Sequence, residues 1–183
     1  MNVVLIGFSG SGKSSVGRSL ARRLGWDFVD TDAEVERTAG RRIHEIFAED
    51  GEAAFRRLEA KEVDRALRRG RQVVAVGGGA VVNPYSRRAI KDGNLVVLLE
   101  AEVDTILERL SRDASEEPRP MLGSNDPKAR LLALKAVRDP IYRATADLVL
   151  STDQLGVDDV ARELAGRVAM LLSESTTATR GEP

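Results

Sequence analysis

The sequence predicts a three-layer α/β fold in which a parallel sheet is covered by helices on both faces. Two observations carry the prediction. Five short apolar runs alternate with longer segments whose apolar residues recur every three or four positions. The first run also leads directly into a glycine-rich loop with a helical pattern behind it.

The runs that read as buried strands are Asn2–Ile6, Asp27–Asp30, Gln72–Val76, Asn94–Leu99 and Ala146–Leu150. Helical spacing appears between them, at Val16, Leu20 and Leu24, then at Phe55, Leu58, Val63 and Leu67. It resumes at Ile106 and Leu110, at Leu131, Leu134 and Ile141, and at Leu164, Val168 and Leu171. Parallel strands joined by helices place ligands at the strands' C-terminal ends. Thr31–Gly70 is too long for one helix and holds two or three, which make a small flap over about residues 31–60. The polar segment Arg112–Asp126 carries Pro118, Pro120 and Gly123 and reads as a lid. Residues 1–172 form one domain in this reading, and 173–183, small and polar, form a disordered tail.

Composition narrows the function. With 183 residues, 42% of them hydrophobic, the chain can bury a substantial core. A net charge of −1 leaves no basic excess to follow a nucleic-acid backbone. There are no cysteines, so disulfides, thiolate metal sites and thiol nucleophiles are excluded. The apolar N-terminal run is too short for a signal core or a membrane span, which makes a cytoplasmic protein with no membrane partner the expectation.

Gly7–Ser14 reads GFSGSGKS and matches G-x-x-x-x-G-K-[ST]. Glycines let such a loop turn its backbone N–H groups inward on phosphate oxygens, and the next helix adds its N-terminal partial charge. Gly10, Ser11, Gly12, Lys13 and Ser14 are the ATP-binding candidates, with Ser15 following on the helix face. Lys13 is suited to the β- and γ-phosphates, and the Ser14 hydroxyl to Mg²⁺. A chance match is expected in well under about 1% of chains this long. The motif implies triphosphate binding and leaves its use open.

Enzymes with this loop usually supply a metal-side aspartate from a second strand. Here Gln72–Val76 ends in Gly77, Gly78 and Gly79 with no acid. Asp30, ending the neighbouring strand, becomes the metal-side candidate. In extended chain Asp30 and Asp32 would face the same cleft, while Thr31 to Glu34 would form a capping box. The glycine run is read as a close backbone approach to a ligand rather than a simple turn.

Three arginines stand out by context: Arg56 in FRRLE, Arg119 in PRPML and Arg138 in VRDPIY. With the phosphate loop, the DTD at Asp30–Asp32 and the GGGA at Gly77–Ala80, they resemble the shikimate kinases over about residues 2–172. The resemblance implies a small P-loop kinase fold of the nucleoside-monophosphate-kinase type, with a five-stranded parallel sheet, flap and lid. It implies Mg-ATP-dependent phosphorylation of the shikimate 3-hydroxyl, on the route to chorismate and the aromatic amino acids. Carried over by residue, Asp32 would bind the shikimate hydroxyls and take the attacking proton. Arg56, Arg138, Gly78 and Gly79 would hold the substrate, the arginines through its carboxylate. Asp30 would support the metal through water, and Arg119 would close with the lid on the transferring group. Arg109 and Arg112 are both candidates to stack on adenine, with Arg112 favoured. A monomer is expected.

Two other readings compete. Another small-molecule P-loop kinase would act on gluconate or a nucleoside monophosphate. A nucleotide-binding switch would use the same loop without catalysis, but would have no reason to keep Lys13, Asp32 and Arg119 together. Phe47 and Phe55 in the flap read as core rather than as a base platform.

Overall fold

The structure is a computed structural model that describes residues 1–112 and 126–179. The strands are β1 (Val3–Ile6), β2 (Asp27–Asp30), β3 (Gln72–Ala75), β4 (Leu95–Glu100) and β5 (Leu148–Ser151). All pair in parallel, in the order β2-β3-β1-β4-β5. β1 is central and its four residues are fully buried, which is why it reads as a continuous apolar run instead of an alternation. The chain forms a three-layer α/β fold with a five-stranded parallel sheet, as the sequence predicts.

Successive residues of each strand serve opposite faces. Val4 and Ile6 pack with Val63, Ile90, Ile106, Leu131 and Tyr142 on one side. Val3 and Leu5 pack with Val16, Leu20, Val160, Leu164 and Val168 on the other. The helices on the first side are α4 (Gly51–Leu67), α5 (Pro84–Lys91), α6 (Val103–Arg112) and α7 (Pro127–Thr145). Those on the second are α1 (Lys13–Leu24) and α8 (Val157–Thr179).

The flap region contains α2 (Thr31–Ala39), α3 (Ile43–Glu49) and the start of α4. It has its own small core of Val35, Ile46 and Phe55. Phe47 stacks on Phe55 with ring centroids 4.7 Å apart, so both aromatics are packing residues.

Several boundaries differ from the sequence reading. β5 begins at Leu148 because the N–H of Ala146 still closes the last turn of α7 on Tyr142. α8 extends to Thr179, past the point where composition predicts a disordered tail, and residues 180–183 lie outside the described residues. Most of the expected lid, 113–125, also lies outside them. Among the described residues no helix is long and apolar enough to cross a membrane.

Candidate active site

The phosphate loop leaves the sheet at the C-terminal end of β1. Gly7, Gly10 and Gly12 adopt φ of 137°, 82° and 94°, values that a side chain would strain. The loop therefore wraps tightly, and Gly12 starts α1 from a left-handed conformation. Lys13 folds back over it, its buried Nζ donating to the carbonyls of Gly7 at 2.8 Å and Phe8 at 2.7 Å. Burial pulls the Lys13 pKa down to about 8, against the opposing influence of Asp32 and Asp30. The loop is anchored from behind by Thr152, whose hydroxyl donates to the Ser11 carbonyl at 3.0 Å.

Asp30 ends β2 beside Ala75 of β3. Its side chain meets the phosphate loop, where the Ser14 hydroxyl donates to Oδ2 at 2.5 Å. Its Oδ1 accepts the N–H of Asp32 at 3.1 Å. This corrects the sequence reading twice. The N-cap of α2 is Asp30, not Thr31, because the extended backbone of β2 aims the Asp30 carboxylate at the helix's free N–H groups. Asp32 is accordingly the second residue of a helix, so the two acids are not paired by strand alternation. Thr31 is fully buried and accepts the N–H of Gly77 through Oγ1 at 3.1 Å, tying β2 to the glycine run.

Both acids still line one cavity of about 490 Å³, together with Ser9, Lys13, Ser14 and Gly78. Ser15 and Arg109 are on its wall as well. Asp32 Oδ1 is buried and has no hydrogen-bond partner among the described residues. Its pKa is pushed up to about 7, first by burial and then by Asp30 and Glu59, while Lys13 and Arg56 oppose the shift. A carboxyl group poised near neutrality can exchange a proton with a hydroxyl, and such shifts concentrate at reactive sites.

On the far side of the glycine run lies a second cavity of about 430 Å³, with Arg56, Arg138, Gly79 and Glu52 in its lining. Arg56 donates to Glu59 at 2.7 Å and to Glu52 at 3.3 and 3.2 Å. Arg138 lies over the Phe8 ring at 5.8 Å. Space explains why this run is glycine. A Cβ on Gly77 would lie 2.6 Å from Glu59 Oε1 and closer still to Asp32, and one on Gly79 would lie 2.7 Å from Arg56 Nη2. The Gly78 carbonyl accepts a hydrogen bond from the Tyr142 hydroxyl.

The fold thus brings Gly10, Gly12, Lys13, Ser14, Asp30, Asp32 and Gly78 together around one cavity, with Ser11 of the same loop fully buried, and Arg56, Gly79 and Arg138 around another. Arg112 is not brought in. It pairs with Glu108 at 2.6 Å, and its side chain is 74% exposed. Arg109, one turn earlier, donates to Thr152 at 2.9 and 2.6 Å and to the Gly10 carbonyl at 3.3 Å. Arg119 lies outside the described residues.

Sequence reasoning missed Glu59 and Tyr142. It takes the charged helix from Glu52 as a mostly solvated face, yet Glu59 and Glu62 are each only 2% exposed. A signal was present for Glu59, which falls four residues after Phe55 and four before Val63, on the apolar stripe of α4. Burial raises the pKa of Glu59, with Arg56 opposing.

Comparison with known proteins points one way. The family profile described as shikimate kinase matches residues 9–169. A shikimate kinase of Symbiobacterium thermophilum is 46% identical over 164 residues, covering 90% of this chain and 94% of its own. One from Thermobifida fusca is 47% identical over 162 residues, with coverage of 88% and 91%. Among solved structures, a shikimate kinase of Acinetobacter baumannii in complex with shikimate superposes with a TM-score of 0.86 at 36% identity, covering 94% of this chain and 93% of its own. This chain belongs to the shikimate kinase family.

Proposed function

We propose that this kinase transfers the γ-phosphoryl group of Mg-ATP to the 3-hydroxyl of shikimate, giving shikimate 3-phosphate and ADP. The observation that carries the reading is Asp32 in the phosphate-loop cavity, close enough to Arg56 of the neighbouring two-arginine cavity for that guanidinium to oppose the rise in its pKa. A small carboxylated polyol needs a charged anchor and hydroxyl acceptors. Arg56 and Arg138 supply the anchor, with the N–H groups of Gly78 and Gly79 beside them. Asp32 orients the attacking hydroxyl and accepts its proton. Lys13 exchanges the Gly7 and Phe8 carbonyls for phosphate oxygens when the nucleotide enters.

Magnesium fits the residues present. Ser14 Oγ and the Asp30 carboxylate are hard oxygen donors already in contact, and this is the donor class the ion prefers. Among the described residues no cluster of three or more acids, histidines or cysteines competes as a metal site. When bound, the ion neutralises charge on the β- and γ-phosphates. Asp30 supports it through water, since this carboxylate also caps α2.

Arg119 completes the reading as a cation that meets the transferring group when the lid closes and excludes water. Arg109 is already at the cavity wall, as is Arg18, and Arg112 reaches adenine only by leaving Glu108. Every residue assigned here comes from one chain, so a monomer suffices.

The test is ADP release with shikimate, gluconate and nucleoside monophosphates offered in parallel, with and without a chelator. Turnover that needs both shikimate and magnesium is expected. Turnover with gluconate or a nucleotide in its place would replace this reading.

A further inference from the structure

Tyr142 is among the largest fully buried side chains, at 1% exposure. Its ring meets Phe8 of the phosphate loop edge-on, with centroids 5.3 Å apart and planes at 75°. It follows Arg138 by four residues on α7, so the two share a helix face. Its hydroxyl donates to the carbonyl of Gly78. Burial pushes the phenol pKa up to about 12 against the Arg138 guanidinium, which also hydrogen-bonds the hydroxyl, so the group stays a donor at any pH near neutrality.

The hydrogen bonds of the glycine run can be accounted for one at a time. The Gly77 N–H goes to Thr31 Oγ1. The Gly77 carbonyl accepts from Ala80 and the Gly79 carbonyl from Val82, each at 3.0 Å. The Gly78 carbonyl is taken by Tyr142. The N–H groups of Gly78 and Gly79 then remain as the donors for which the described residues provide no acceptor. All peptide bonds described are trans, and a trans peptide sets its carbonyl and its N–H on opposite sides. Whatever holds the Gly78 carbonyl therefore also aims the Gly79 N–H. Gly79 lines the cavity that contains Arg56 and Arg138.

We propose that Tyr142 is a positioning residue for the acceptor's carboxylate, locking the Gly78–Gly79 peptide so that the Gly79 N–H points into the Arg56–Arg138 cavity. The inference rests on the shikimate-kinase reading. A lock is needed because a peptide between two glycines rotates at little steric cost. Crowding of Gly79 by Arg56 restrains the α-carbon but not the peptide plane. Among the described residues only Tyr142 donates to this carbonyl, so one hydroxyl sets the orientation.

Tyr142→Phe keeps the ring against Phe8 and removes only the hydroxyl. The expected result is a rise in shikimate KM of about tenfold, the scale of one hydrogen bond, with ATP KM and kcat held within about twofold. Made in an Arg138→Ala background, the same substitution should still raise shikimate KM by a similar factor, because the Gly79 N–H acts apart from the Arg138 guanidinium that also reaches the hydroxyl; a rise lost in that background would overturn the proposal. An unchanged shikimate KM would overturn the proposal. So would a lower thermal midpoint accompanied by similar losses toward both substrates, which would make the hydroxyl a general structural contact. Wild-type turnover of shikimate is the control. Its absence would overturn the functional reading and this inference with it, whereas its presence beside an unaffected Tyr142→Phe would overturn the inference alone.

Discussion

Asp30 holds Ser14 with one carboxylate oxygen, at 2.5 Å, and the backbone N–H of Asp32 with the other, at 3.1 Å. One side chain therefore joins the phosphate loop to the first turn of α2 and fixes where Asp32 stands. Asp30 remains on the nucleotide side, where it is hydrogen-bonded. Asp32 keeps a buried oxygen, Oδ1, without a hydrogen-bond partner among the described residues and feels Asp30 as a like charge.

Replacing Asp32 by asparagine keeps its size and removes its ability to take a proton. We expect kcat to fall by about 10²–10⁴, the usual contribution of a positioned base, while ATP affinity changes by less than about threefold. Steady-state rates and a nucleotide titration check this. Near-normal turnover would remove Asp32 from the acceptor side.

The pKa of Asp32 near 7 sets a pH dependence with a definite sign. Below about pH 7 the carboxyl is protonated and cannot accept, so kcat/KM should fall toward tenfold per pH unit on the acid side. Stability follows the opposite trend. The folded pKa lies above the ordinary value of 3.8, so between those two pH values the folded state holds the extra proton. Its contribution therefore weakens as pH rises through that window. Asp32→Asn should gain thermal midpoint over wild type between pH 5 and pH 8. A constant difference across that range would contradict the raised pKa.

Glu59 is the neighbouring charge through which the Asp32 pKa can be moved from outside the reacting groups. Glu59→Gln keeps a polar partner for Arg56 and removes one influence that raises Asp32. The acid limb of the rate profile should move to lower pH by up to about one unit. Shikimate KM should rise modestly as Arg56 loses its ionic partner. A limb that stays in place would show that Glu59 is neutral when Asp32 titrates.

Arg138→Ala should raise shikimate KM by about 10- to 100-fold, the cost of one charge-assisted carboxylate contact, and leave ATP KM within about threefold. Comparable losses toward both substrates would place Arg138 on the nucleotide side, through its contact with Phe8 of the phosphate loop.

Local pattern alone was enough for the parallel α/β architecture, the phosphate loop, β2 with its observed bounds and the missing acid at the end of β3. These features are written in neighbouring residues: strand hydrophobicity, glycine spacing and a lysine at a fixed offset. From their match to a family pattern the sequence assigns Asp30, Asp32, Arg56 and Arg138 to one site; in the structure the two aspartates line one cavity and the two arginines another. The tertiary structure decided what depends on contacts between distant residues. Thr31 gives up the cap because its hydroxyl is claimed by Gly77, 46 positions away. Arg109 is fixed at the phosphate loop by Thr152, 43 positions away, while Arg112 turns to Glu108. Tyr142 holds a carbonyl 64 positions back. Glu59 is buried because α4 packs it against Gly77 of the glycine run, 18 positions away, with Arg56 as its partner. Hydrophobic period and loop chemistry act over a few residues, whereas hydrogen-bond partners and desolvation are set only once the layers have packed.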